Sequence, residues 1–164
     1  CKTDKKLIIA GGSNSNKDYY ESLQEMAKDD NRIIFTGFVT GQVITELYSN
    51  AYIFAIPSNL EGMANALLEA MSYGNCCLIS DIPENTEVVN DKAVWHKKGS
   101  ESDIYAKLQN LLDHPEIVAK FKSEAAPYIL SRYSWDRVVD QMLEIYGGNV
   151  VEYEEILRRY EQKS

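Results

Sequence analysis

Short, uniformly apolar runs alternate along the chain with longer stretches whose apolar residues recur at helical spacing. That alternation predicts an α/β fold, a parallel sheet with helices on both faces. The apolar runs are Leu7-Ile8-Ile9-Ala10, Ile33-Ile34-Phe35-Thr36, Tyr52-Ile53-Phe54-Ala55-Ile56 and Cys76-Cys77-Leu78-Ile79-Ser80, with a weaker Ala93-Val94-Trp95. Continuous runs of this kind mark strands buried on both faces. Most of them close on turn residues: Gly11-Gly12, Gly37, Pro57-Ser58 and Asp81-Ile82-Pro83. Between them helices are expected over Tyr19–Asp29, Gln42–Ser49 and Ala64–Tyr73, the last closed by Gly74 in a left-handed cap. From Ser102 onward the pattern is helical only. It predicts Asp103–Leu112, a helix opened by Pro115 that runs from Glu116 to about Ala126 before Pro127 ends it, and Trp135–Tyr146. His96 and His114, lacking partners at ligand or triad spacing, are expected on the surface, and Trp135 is expected to pack.

The stretch from Val150 to Tyr160 has helical spacing, with Glu154-Arg158 and Glu155-Arg159 as i,i+4 pairs. Residues 1–148 are therefore expected to form one domain and 149–164 an additional amphipathic helix, which could lie on the core or pair two copies into a dimer.

The 164 residues are 45% hydrophobic and 26% charged, the composition of one globular domain. A formal net charge of -8 argues against a nucleic-acid partner and against recruitment to anionic lipid by charge alone. Without an apolar run of roughly 20 residues or a signal-peptide core, the expected location is cytoplasmic, with the longer protein peripheral at the membrane. Cys76 and Cys77 are neighbours in an apolar run without zinc spacing, and both read as core thiols.

The candidate chemistry lies in Asn59 to Asn75, where Glu61 and Glu69 stand eight positions apart in a small, apolar context. In open parallel sheets ligands bind beyond the carboxyl ends of the strands, against helix N-termini with unpaired N–H groups. Glu61 falls in the loop after Tyr52–Ile56 and Glu69 about two turns into the next helix, roughly 12 Å apart if the run were fully helical. That is the length of a nucleoside diphosphate linked to a sugar. One carboxylate could accept from sugar hydroxyls and the other from a ribose, with Gly62, Ala64 and Ala66 leaving room for the approach. Taken by themselves, the two acids are equally a solvated helix residue and a dipole-favoured one. Gly11-Gly12 could touch the ligand, although the turn lacks the glycine spacing of a dinucleotide site and the lysine of a P-loop. Ser58 has no nucleophile frame around it, so a donor contact is expected.

Over Leu7 to Tyr146 the chain resembles the donor-binding domain of retaining glycosyltransferases of the two-domain GT-B fold, in the family with the Glu-x7-Glu motif (glycosyltransferase family 4-like, group 1). The likeness rests on "LIIAGG", "RIIFTGFV", "ELYSNAYIFAIPSNLEGMANALLEAMSYGN", "SDIPENTEVV" and "YSWDRVVDQMLEIY" in that order. It implies a Rossmann-like GT-B half-domain in a hexosyltransferase of glycan or polysaccharide biosynthesis. Glu61 would meet the donor sugar, Glu69 the ribose, and Gly62-Met63-Ala64-Asn65 the diphosphate or sugar. Gly37-Phe38-Val39 would lie against the base. The donor substrate would be a nucleotide sugar, a UDP-sugar first, with no cofactor or metal required. The acceptor, a glycan or lipid-linked glycan, would bind an N-terminal domain. The family's second domain opens with a further strand whose following loop carries an arginine and a lysine for the diphosphate, and Cys1 to Lys6 is too short to hold it. The expectation is a fragment that binds donor and is inactive alone. The alternative is a non-catalytic nucleotide-sugar-binding or interaction module.

Overall fold

The computed structural model describes residues 1–13, 16–62 and 64–146; Asn14, Ser15, Met63 and the expected helix over 149–164 lie outside the described residues. Five strands alternate with helices. They run β1 (Leu7–Ala10), α1 (Lys17–Ala27), β2 (Ile33–Gly37), α2 (Gln42–Asn50), β3 (Ile53–Ile56), α3 (Asn65–Ser72), β4 (Cys76–Ser80), α4 (Pro83–Val89) and β5 (Val94–His96). The helices α5 (Glu101–Asp113), α6 (Pro115–Arg132) and α7 (Trp135–Tyr146) follow. All pairings between strands are parallel. The ladder is divided into a two-stranded sheet, β1-β2, and a three-stranded one, β3-β4-β5. The beginnings of β1 and β3 lie at one end of the molecule, because the Lys5 ammonium sits 4.0 Å from the centre of the Tyr52 ring.

The core is built on β4, all five of whose residues are buried. Alternation along the strand sends Cys77 and Ile79 into a cluster with Leu67, Ala70 and Met71 of α3 and Ala125 and Ile129 of α6. Cys76 and Leu78 face the other side, against Leu111 of α5 and Val118 of α6. Each large apolar side chain so buried contributes about 1.5–3 kcal/mol. Burial also pushes the Cys76 thiol up to about 11 and raises that of Cys77 further.

The turn after α3 carries out what Gly74 promised. At φ 71° its N–H donates to the Met71 carbonyl (2.9 Å) and that of Asn75 to Ala70 (3.2 Å), the paired bonds of a Schellman cap. The Asn75 side chain, 1% exposed, donates from Nδ2 to the carbonyls of Tyr48 (2.9 Å) and Ala70 (3.0 Å), joining the ends of α2 and α3 at the mouth of β4.

Three expectations are corrected. Pro127 does not end α6, which runs on to Arg132. A mid-helix proline removes a hydrogen bond at a cost of about 3 kcal/mol, but Ala125 and Ile129, 0% and 2% exposed, anchor the helix on both sides of it. His96 ends β5 at 3% exposure, so it is a core residue. Trp135 is 83% exposed and heads an α7 whose apolar residues Val138, Met142 and Leu143 also face solvent. Among the described residues no helix is long and apolar enough to cross a membrane.

Candidate functional site

At the carboxyl ends of β1 and β2 two glycine turns meet. Gly11, at φ 124°, donates its N–H to the carbonyl of Gly37 (2.8 Å), itself at φ 65°, and only glycine holds both angles without strain. A β-carbon on Gly12 would come within 3.0 Å of the Phe38 ring, so that position is closed to larger residues while the ring stays in place. Phe38 is 69% exposed and Val39 half-buried beside it. Together with Ser13, Lys17, Tyr20 and Glu21 the turns border an open cavity of about 490 Å³.

The second group stands on β3 and α3. The Ser58 hydroxyl donates to Glu61 Oε1 at 2.5 Å, and both residues are half-buried. Ala64, 4% exposed, caps α3 without a side-chain acceptor, and its carbonyl takes the N–H groups of Leu67 (2.8 Å) and Leu68 (3.2 Å). The amides of Asn65 and Ala66 are thus the ones the helix leaves without an internal acceptor, and they point out of its N-terminus with the dipole's positive end. Gly62 is exposed with open space where a side chain would stand. Met63 lies outside the described residues.

Glu69 is the fifth residue of α3, little more than one turn from its start and not two, because the helix begins at Asn65. Its side chain is exposed, and its neighbour is Tyr48, which stacks on Tyr73 with ring centres 5.5 Å apart. Burial first, and then the nearby Glu69 carboxylate, push the Tyr48 hydroxyl up to about 12 from an ordinary 10.0. A group whose folded pKa is raised adds stability below its unfolded value and loses it as pH climbs through the folded one. The advantage of wild type over Tyr48→Phe should shrink by about 2–3 kcal/mol between pH 9.5 and 12.5, measured by urea unfolding. A constant gap would contradict this environment for Tyr48.

Sequence reading missed two polar residues under this loop. Ser80 and Asn85 are fully buried, and Ser80 Oγ lies 2.5 Å from the Ser58 carbonyl. The available signal is a serine at the end of an otherwise apolar strand; Asn85 lies on α4, a helix of seven residues of which the sequence pattern shows only the turn at Pro83.

The parallel strands, the helix N-terminus beside a held carboxylate and the glycine turns define a Rossmann-like α/β protein. The family described as "Glycosyl transferases group 1" matches residues 2–127, and the chain belongs to it. An uncharacterized glycosyltransferase of Methanocaldococcus jannaschii is 27% identical over 86% of this chain and 36% of its own length. An O-antigen chain mannosyltransferase of Salmonella typhimurium is 30% identical over 74% of this chain and 35% of its own. The chain thus spans about a third of the length of these relatives. Among solved structures, the Anabaena protein HepE in complex with UDP-glucose superposes with a TM-score of 0.82 at 19% identity, over 90% of this chain and 42% of that one. Sucrose-phosphate synthase of Thermosynechococcus elongatus gives 0.78 at 18% identity, over 87% and 38%. At such identities the likeness is one of fold, and it extends over the part of each neighbour that the chain covers.

Proposed function

We propose that this chain is the donor-binding part of a retaining glycosyltransferase, taking a nucleoside-diphosphate hexose, a UDP-sugar first, for transfer to an acceptor hydroxyl in polysaccharide or lipid-linked glycan synthesis. The observation that carries the reading is the Glu61 carboxylate held by Ser58 at the open N-terminus of α3, with Glu69 farther along the same helix. The O-antigen relative and the UDP-glucose complex of a fold neighbour support the choice of substrate class. Breaking the anomeric bond builds positive charge on the sugar and negative charge on the departing diphosphate. The amides of Asn65 and Ala66 stabilise the second, and Glu61 holds the sugar through its hydroxyls. Glu69 accepts from the ribose, and Phe38 offers an exposed ring to the base.

The same reading extends to the sheet. Among the described residues β1 and β3 each pair with a strand on one side only, and the Lys5 ammonium, just before β1, lies 4.0 Å from the centre of the Tyr52 ring, just before β3, so that the free edges offer a seat for one more strand. That seat is assigned to a strand of the longer protein, whose following loop supplies cations to the diphosphate. The chain alone should therefore bind donor without turning it over. Incubation with labelled UDP-glucose and mixed acceptors checks this, and turnover of about 1 per second would show that the machinery is already complete.

Calorimetry with UDP, GDP, ADP and NAD in turn tests the assignment as a whole. Binding of one nucleoside diphosphate above the others is expected. Tight binding of NAD with no response to any nucleoside diphosphate would overturn it.

A further inference from the structure

The loop that carries Glu61 rests on a line of hydrogen bonds that starts from the fully buried Asn85 and Ser80 and ends at the half-buried Ser58 and Glu61. The β3–β4 ladder ends at Ile56 opposite Ile79, and Pro57 has no N–H with which to continue it. One step on, the hydroxyl of Ser80 takes over, 2.5 Å from the Ser58 carbonyl. A carbonyl only accepts, so the Ser80 proton is committed to Ser58. Ser80 Oγ must then be the acceptor toward Asn85 Nδ2, which lies 3.3 Å away and also reaches the Ser80 carbonyl at 3.5 Å. Ser58 in turn gives its own hydroxyl proton to Glu61 Oε1. The direction of every bond is fixed from Asn85 through Ser80 to Ser58, and from Ser58 to Glu61.

Both Ser80 and Asn85 are 0% exposed, where an apolar residue would cost less to bury. Packing alone gives no reason for a hydroxyl and an amide there. We propose that Ser80 and Asn85 are positioning residues that, through Ser58, fix the Glu61 carboxylate in the orientation that meets the donor sugar. This rests on the donor-binding reading above. Neither residue touches the ligand. Their effect falls on the sugar and spares the nucleotide.

Ser80→Ala tests this in the full chain by calorimetry with UDP and UDP-glucose. Affinity for UDP-glucose should fall about fivefold to tenfold while that for UDP stays within about twofold, as the loss of one hydrogen bond acting only on the sugar requires. In a Glu61→Gln background the same substitution should leave the ratio of the two affinities unmoved, because the two residues act in series. Equal losses for both ligands, or the same further loss of ratio in the Glu61→Gln background, would overturn the proposal. Should Ser80→Ala not fold, Ser80→Cys, close in size with only a weak S–H donor, takes its place with the same two outcomes. A wild-type chain that binds UDP and UDP-glucose alike would defeat the donor reading instead. Positioning is then decided without ligand, by nitrogen-15 relaxation. Order parameters of the Ser58–Gly62 amides should drop in Ser80→Ala while those of β3 and β4 hold, and unchanged values at Ser58–Gly62 would overturn it.

Discussion

Asn75→Asp should destabilise the protein by about 3–5 kcal/mol. The side chain is 1% exposed, and its amide hydrogens serve the carbonyls of Tyr48 and Ala70 at 2.9 and 3.0 Å. A carboxylate of the same size has no proton for either oxygen and brings a charge into the core. Protonated, it could serve only one of them, leaving the other carbonyl buried and unpaired. Against a total stability of roughly 5–15 kcal/mol, that loss removes much of the margin. Asn75→Ala should also destabilise, but by less, since it forfeits both bonds without adding charge. Urea unfolding of both variants measures this; an Asn75→Asp protein within about 1 kcal/mol of wild type would mean that the junction of α2, α3 and β4 does not depend on this amide.

The second large effect is a division of labour between the two acids. Glu69→Gln should weaken binding of bare UDP by tenfold or more, since a charge-assisted hydrogen bond is worth on the order of 1.5–3 kcal/mol. A carboxylate has about four acceptor sites, which is room for paired ribose hydroxyls. Glu61→Gln should leave UDP nearly unaffected and weaken UDP-glucose, since in the proposed binding mode Glu61, held by Ser58, meets the sugar alone. Calorimetry of both ligands against both variants measures the split. Equal losses everywhere would show that the roles are not divided, and no loss in either would reduce the pair to a solvated helix glutamate and a dipole-favoured one.

Much of this was legible in the sequence. The apolar runs place all five strands within a residue or two, because uninterrupted β-branched and aromatic runs carry no competing helical period; the burial on both faces that they imply holds for β4 alone, since Leu7 and Ile8 of β1 are 51% and 37% exposed. Gly74 announced the end of α3, since a left-handed cap is a local requirement. Pro127 misled, because its cost is local while the burial of Ala125 and Ile129 that offsets it is tertiary. His96 misled for a related reason: a polar residue at a strand end gives no sign of which elements will cover it. The order of parts along the chain pointed to the Glu61 and Glu69 site. What supports that site from below was not visible, since Ser80 and Asn85 reach Ser58 only after β4 and α4 are placed beside β3.

The central claim is that a nucleoside-diphosphate sugar lies across the α3 N-terminus, with its base toward the glycine turns. Nitrogen-15 amide spectra of the chain titrated with UDP-glucose test it most directly. The largest shifts should fall on Gly62, Ala64, Asn65 and Ala66, with a second group at Gly12, Gly37, Phe38 and Val39, while α5 and the solvent face of α6 stay still. Saturable shifts confined to other surfaces, or none at millimolar ligand, would contradict it.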